Sequence, residues 1–319
     1  MKLIELKGVR KRFKNDLVLD DVNLVIEEGD ILGVIGYSGS GKTTLLNMIS
    51  GFIEPSEGEV LYTSKITEEP ININKKLHKV KELIGFAPQH SSFYPKLTVV
   101  ENLLHFGQLY GLKRETTVNN IKALLQATNL HSHRNKLSEH LSGGMQKRLD
   151  ISCSLVHKPK ILILDEPIDD LDYKLQKEIL YFLQQINQQG VTLVIASHHL
   201  NMLETICTKI AIIHDGTVKS HGLLEDVKKP FLKEHFSINL TLESDKEKIL
   251  SMLSRFPAKK IIDQGNNIIV HPSDTIRSIG NILQIIEEEK LYLHDMDFRK
   301  PTLNEIFEAI TQEEVKKKE

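Results

Sequence analysis

The 319-residue sequence holds only two cysteines, Cys153 and Cys207, and no Cys-x-x-Cys pair. That excludes a disulfide-built fold and gives no cysteine-based metal site. Both cysteines fall in segments that read as helical and apolar, so buried free thiols in a reducing interior are expected. No apolar run approaches the roughly 18 residues that cross a bilayer as a helix, so any membrane role is expected to come through a partner. Neither sign of charge dominates. Lys plus Arg at 41 against Asp plus Glu at 43 leaves a formal net charge of −2, and no basic field marks a surface for nucleic acid or an anionic membrane. The N-terminal Met1–Leu6 reads as a strand rather than a signal peptide. What is present, 40% hydrophobic and 26% charged residues, is a globular composition, and the length is that of two domains.

The most informative stretch is Gly36-Tyr37-Ser38-Gly39-Ser40-Gly41-Lys42-Thr43-Thr44. It matches G-x-x-x-x-G-K-[ST], a phosphate-binding loop, with a short aliphatic strand before it (residues 31–35) and a helix start after it. Glycine allows the backbone to wrap a polyphosphate closely. The N–H groups at the helix start point at the anion, and the helix dipole favours it. Lys42 is placed to reach the β and γ phosphates, and the Thr43 hydroxyl to ligate Mg²⁺.

Around this loop the pattern is mixed. Residues 2–35 read as short strands with turns, and Phe13 sits in the basic stretch Arg10-Lys11-Arg12-Phe13-Lys14. It is either a platform for a base or an ordinary strand phenylalanine. Residues 63–81 read as a polar, exposed connection, residues 84–88 as a strand ending at Gln89, and residues 98–112 and 115–130 as helices. Ile161-Leu162-Ile163-Leu164-Asp165-Glu166 is a buried strand that releases two carboxylates where it ends, which is where open parallel sheets bind ligands. Residues 191–196 form another such strand with Ser197, His198 and His199 at its tip. Strands separated by helices predict a mostly parallel sheet covered on both faces.

Beyond Pro230 the pattern restarts as β-α-β-β-α-β, the order of a split βαβ, ferredoxin-like unit. Pro301 then opens a short helix to about Ile310, before a charged tail expected to be mobile. The expected domains are residues 1–229, residues 230–311 and a flexible tail over 312–319. In fold class this is an α/β phosphate-loop NTPase core with an antiparallel β subdomain and a helical subdomain, followed by a small α+β domain.

One further motif carries a family resemblance. Leu141-Ser142-Gly143-Gly144-Met145-Gln146 lies between the phosphate loop and the aliphatic Asp-Glu strand. With these three elements in this order, the chain resembles the ATP-binding subunit of an ATP-binding cassette (ABC) transporter over about residues 1–222. In that family two cassettes pair head to tail, each nucleotide lying between the phosphate loop of one copy and the Ser-Gly-Gly signature of the other.

The resemblance implies ATP and Mg²⁺ as cofactors. It places ATP against Phe13, Gly36, Ser38, Gly39, Ser40, Gly41, Lys42, Thr43, Thr44, Ser142, Gly143, Gly144 and Asp172. It places Mg²⁺ against Thr43, Gln89 and Asp165, with Glu166, His198 and Gln89 acting on the attacking water. His198, not His199, stands at the family's switch position. The family has small residues where Asp169 and Asp170 stand, a departure in the loop that crosses the dimer interface.

The resemblance further implies a separately encoded transmembrane permease and a second ABC ATPase subunit as partners, with no nucleic acid. The location it implies is cytoplasmic, peripheral on the inner face of the cell membrane. Residues 89–104, with Phe93, Tyr94, Pro95 and Leu97, are expected to face the permease. The segment Pro301-Thr302-Leu303-Asn304-Glu305-Ile306-Phe307 resembles the ending of drug-exporter cassettes of the daunorubicin-resistance type. The expectation is ATP hydrolysis driving export. The alternative is a soluble ABC ATPase in translation or repair, although the single cassette and the lack of long coiled coils and zinc sites do not favour it.

Overall fold

The first segment departs from the expected short strands. It forms one long hairpin of β1 (Lys2–Phe13) and β2 (Asp16–Glu27). The polar break at Lys7-Gly8 is absorbed as a bulge instead of ending the strand. The register shifts between Leu6 and Val9, Gly8 takes φ +55°, and its N–H donates to Asn23 Oδ1 at 2.9 Å. β3 (Ile31–Ile35) follows, buried at every position, then α1 (Lys42–Ile49), β4 (Glu57–Tyr62) and β5 (Ile71–Asn72). In this computed structural model β2, β1, β4 and β5 make an antiparallel sheet in that order. The structure describes residues 1–63, 69–75 and 80–232, then 237–242, 258–264, 267–272, 293–299 and 301–318 with a few isolated positions between.

β6 (Ile84–Ala87) leads into a helical part made of α2 (Val99–Leu109), α3 (Arg114–Ala127) and α4 (Gly143–Leu155). Its core of Phe93, Val99, Leu103, Ile121, Leu125, Leu149 and Cys153 is separate from the main core. α2 begins in a capping box, Thr98 and Glu101 each bonding the other's backbone N–H, which fixes where the chain turns into the helix.

The second half alternates β7 (Ile161–Asp165), α5 (Tyr173–Gln188), β8 (Thr192–Ala196), α6 (Leu200–Leu203), β9 (Lys209–His214) and β10 (Thr217–Leu223). β7 and β8 are buried at all five positions, and runs apolar on both faces belong inside a covered parallel sheet. The sheet order is β10-β9-β3-β8-β7-β6. The neighbours from β9 to β6 run parallel, and β10 returns antiparallel at one edge. Cys153 lies in α4 as expected, whereas Cys207 lies in the connection before β9, and both are buried. Burial raises both thiols, Cys207 to about 12, leaving them inert at neutral pH.

The chain divides into two units, Met1–Leu224 and Glu225–Glu319. α7 (Leu224–Leu232) runs through Pro230, so the division falls a few residues ahead of the boundary expected at 229. In the second unit β11 (Ser237–Leu242), β12 (Ala258–Gln264), β13 (Asn267–Pro272) and β14 (Leu293–Arg299) form a sheet ordered β12-β13-β11-β14, every pairing antiparallel. A split βαβ unit has this order, the strands at each end of a helix separated by a third strand. All but one residue of the helix expected over 245–255 and most of the one expected over 274–288 lie outside the described residues. So do residues 64–68 and 76–79 of the connection expected over 63–81, but its described part is not simply exposed: β5 pairs with β4 there, and Ile73 and Val80 are buried in the core because their apolar side chains pack under that sheet. α8 (Leu303–Lys318) corrects the last expectation: the helix does not stop near Ile310, and the backbone of the charged segment 312–318 continues it. Five of the last seven helical residues are Glu or Lys, which are good helix formers.

Candidate functional site

Four adjacent strands, β3, β8, β7 and β6, deliver the predicted residues at their C-terminal ends. The loop 36–41 leaves β3, His198 follows β8, Asp165 closes β7 with Glu166 next to it, and Gln89 follows β6. In parallel strands those ends share one edge, so side chains more than a hundred residues apart converge there.

The loop geometry is that of an anion cradle. Gly39 and Gly41 take φ +80° and +102°, which side chains rarely adopt. At Gly36 space is the constraint: a Cβ would lie 2.4 Å from Ser40 Oγ and 2.5 Å from the Ile213 carbonyl. Gly41 precedes α1 without a side-chain cap, so the first N–H groups of the helix face the cradle. Lys42 is 8% exposed. Its Nζ donates to the Gly36 and Tyr37 carbonyls at 2.9 and 3.2 Å and stands 4.0 Å from Glu166 Oε1.

Asp165 and Glu166 are buried and differently held. Burial raises the Asp165 carboxyl, while a hydrogen bond from the Thr43 hydroxyl opposes the rise. Asp165 Oδ1 and Ser40 Oγ are buried without a hydrogen-bond partner. Oxygens left so at the mouth of a phosphate cradle fit a hard cation such as Mg²⁺, with Thr43 and Asp165 as its holders. Glu166 sits at φ +48°, a costly conformation for a residue with a Cβ. Its backbone N–H is fixed by the Ala196 carbonyl at 2.9 Å. Glu166 Oε2 accepts the His198 N–H at 3.3 Å and stands 3.1 Å from His198 Nδ1. One carboxylate thus joins the lysine of the loop to the histidine of β8.

The remaining residues are placed around this centre. Phe13 is exposed at the tip of the β1–β2 hairpin with Lys11 Nζ 5.0 Å over its ring. A Cβ on Gly41 would meet Leu19 of β2 at 2.7 Å, so that hairpin abuts the phosphate loop. Gln89 is exposed. Three residues on, Ser92 donates through N and Oγ to buried Asp150 of α4, at 2.8 and 2.6 Å. Ser142 precedes α4 without capping it, and Gly143 and Gly144 open the helix. These three belong to the helical part rather than to the loop's own core. Asp172 caps α5, accepting from Leu175 N at 2.9 Å.

Several contributors were not singled out from sequence. Lys147 of α4 has its pKa lowered by burial, opposed by Asp150, Asp169, Asp165 and Glu166. Asn102, fully buried, binds the Tyr94 N–H and carbonyl, the Leu97 and Thr98 carbonyls and Ser138 Oγ, which shapes the segment 93–98. Asp169 and His199, each named from the sequence but given no part in the reaction, lie beside His198; that the three stand together was not read from it.

Known proteins resemble this chain. The family model described as ABC transporter matches residues 19–169. The chain is 30% identical to the linearmycin resistance ATP-binding protein LnrL of Bacillus subtilis, over 70% of each chain. It is 31% identical to the methionine import ATP-binding protein MetN 2 of Enterococcus faecalis, over 82% of this chain and 79% of that one. Among solved structures, the cassette MJ0796, as a dimer in a post-hydrolysis state bound to ADP and Pi, superposes with a TM-score of 0.61. It is 32% identical and covers 70% of this chain and 99% of that one.

Proposed function

The chain belongs to the ABC transporter family of ATP-binding proteins, and on that premise we propose that Glu166, oriented against His198, activates the water that hydrolyses ATP at this strand edge. It is an ATP-hydrolysing cassette that uses Mg²⁺ and powers transport. The observation carrying the assignment of roles is the Lys42–Glu166–His198 chain beside Asp165. In that reading Lys42 releases its loop carbonyls to hold the β and γ phosphates, and Thr43 and Asp165 hold the cation. The cation, when bound, supplies positive charge to the phosphate oxygens. Glu166 takes a proton from the attacking water, which His198 orients, and Gln89 reaches the same edge from β6. Phe13 offers its ring face to adenine.

The signature residues Ser142, Gly143 and Gly144 serve a second cassette across a head-to-tail seam. The dimeric state of MJ0796 supports this pairing. A membrane permease docks on the segment 89–104, which places the cassette at the cytoplasmic face of the membrane. Among the described residues no helix is long and apolar enough to cross a membrane.

We favour export, on the resemblance of Pro301–Phe307 to drug-exporter endings and on the likeness to LnrL. The import role in the name of MetN 2 leaves the family as a whole divided. Structurally, Thr302 and Glu305 form a capping box, with Glu305 Oε2 2.7 Å from Thr302 N, while Leu303, Ile306 and Phe307 are buried. That motif therefore has a folding role of its own. The alternative of a soluble translation or repair ATPase gains no support from these relatives. Mg²⁺-dependent phosphate release by the purified chain, abolished in Glu166→Gln with ATP binding kept, tests the assignment; wild-type turnover in that variant would overturn it.

A further inference from the structure

Beside the hydrolytic centre, His198 stands in a cluster with two side chains to which the reaction gives no part. Asp169 follows β7 after the strained Glu166, while His198 and His199 follow β8. Because β7 and β8 are neighbours in the sheet, the two turns face each other. Asp169 Oδ1 stands 3.8 Å from His198 Nε2 and 3.5 Å from His199 Nε2, and one donor atom from each residue falls within 4.8 Å of the others.

Three donors held about 2.0–2.1 Å from a tetrahedral metal ion stand about 3.4 Å apart. The observed separations come within a few tenths of an ångström of that for both carboxylate–imidazole pairs. His199 Nε2 is buried and lacks a hydrogen-bond partner. On the far side of its ring, His198 presents Nδ1 to Glu166 Oε2 at 3.1 Å. A carboxylate there fixes the tautomer that leaves Nε2 free to ligate, the usual support for a metal-binding histidine. The set differs in kind from the oxygen donors of Thr43 and Asp165: two imidazoles and one carboxylate suit zinc-like ions and disfavour Mg²⁺.

We propose that His198 Nε2, His199 Nε2 and Asp169 Oδ1 bind a divalent transition-metal ion of the zinc type, and that its binding halts ATP hydrolysis by pinning His198. The regulatory half rests on the role given to His198 above; the binding half does not. With Nε2 taken by the metal, the imidazole can no longer orient the attacking water. The loop carrying Asp169 becomes tied to the turn after β8.

The test uses the full chain, freed of metal by chelation and without nucleotide, titrated with Co²⁺. A tetrahedral site gives intense visible absorption, whereas Co²⁺ on oxygen donors in an octahedral site gives weak bands. We expect one tetrahedral Co²⁺ per chain, displaced by Zn²⁺, with affinity reduced at least about tenfold in His199→Ala and Asp169→Ala. His199→Gln, with its unfolding midpoint measured alongside, separates loss of a ligand from loss of folding. Mg²⁺-ATP hydrolysis is then followed against Zn²⁺, each rate taken relative to that protein's own zinc-free rate. The zinc concentration that halves the wild-type rate should rise at least about tenfold in His199→Gln. A wild-type spectrum lacking tetrahedral bands, or one unchanged in all three variants, overturns the site. Zinc inhibition equal in wild type and variants overturns the regulatory half. A His199-dependent Co²⁺ spectrum in a chain that never hydrolyses ATP leaves the site standing, and the hydrolytic reading falls instead.

Discussion

Glu166 holds His198 with one carboxylate oxygen, Oε2 to Nδ1 at 3.1 Å, while its other oxygen faces Lys42 Nζ at 4.0 Å. Glu166, between Lys42 and His198, is both buried and conformationally strained. Glu166→Gln keeps the size and the contact to His198 but cannot take a proton. Turnover is expected to fall about 10²- to 10⁴-fold, with nucleotide affinity within about threefold of wild type. Phosphate release and fluorescent-nucleotide titration measure the two separately. A parallel loss of both would assign Glu166 to binding instead.

His198→Ala removes the group that Glu166 orients, and turnover is expected to fall at least about tenfold. His199→Ala, one residue along the same turn, is expected to cost less. Equal losses would show that the turn as a whole, not the Nδ1 contact to Glu166, supports hydrolysis.

Phe13 offers one face at the hairpin tip. Aromatic stacking on a base is worth about 1–3 kcal/mol, so Phe13→Ala is expected to weaken ATP binding about tenfold while sparing the rate at saturation. Phe13→Tyr should bind as the wild type does. An unchanged affinity in Phe13→Ala would return this residue to the role of an ordinary strand phenylalanine.

The parts legible in the sequence are those whose chemistry is local. The cradle is nine consecutive residues, and β3, β7 and β8 declare themselves by aliphatic runs that only a covered sheet accommodates. Contacts set by sheet order were not legible: nothing along the chain states that β8 lies beside β7, yet that adjacency brings His199 to Asp169 across thirty residues. The bulge at Gly8 was hidden for a related reason. What makes it a bulge lies on the partner strand, where Asn23 supplies an acceptor for the Gly8 N–H. The charged end of α8 was misread because its composition is equally that of a tail and of an exposed helix.

Asn102 illustrates the buried polar network that no motif announces. Its side chain makes five hydrogen bonds and is fully buried, tying the start of α2 to the segment 94–98 and to Ser138. Asn102→Ala strands several of those groups away from water, at a cost of about 2–4 kcal/mol. Urea unfolding should show the loss, while Asn102→Asp, which keeps the acceptor but drops the donors and adds a charge, should be at least as damaging. A variant as stable as wild type would mean that water replaces the amide.

His157 sets a pH limit on the fold. Its ring stacks on Tyr110, centroids 3.5 Å apart and planes 11° from parallel, with Nε2 3.2 Å from the Ile84 carbonyl and Nδ1 buried without a partner. Burial lowers its pKa from 6.5 to about 4, outweighing the opposing bond to Ile84. The native state therefore resists a proton that the unfolded chain accepts. Above pH 6.5 both states are neutral there and the residue contributes no slope. As pH falls from 6.5 toward about 4, the unfolded chain is favoured increasingly, up to a ceiling of about 3 kcal/mol. The unfolding midpoint in urea should fall between pH 7.5 and 5 in the wild type and fall less in His157→Gln, which keeps a donor for Ile84 but cannot be charged. Identical pH slopes for the two proteins would show that His157 is protonated in the native state as readily as in the unfolded one.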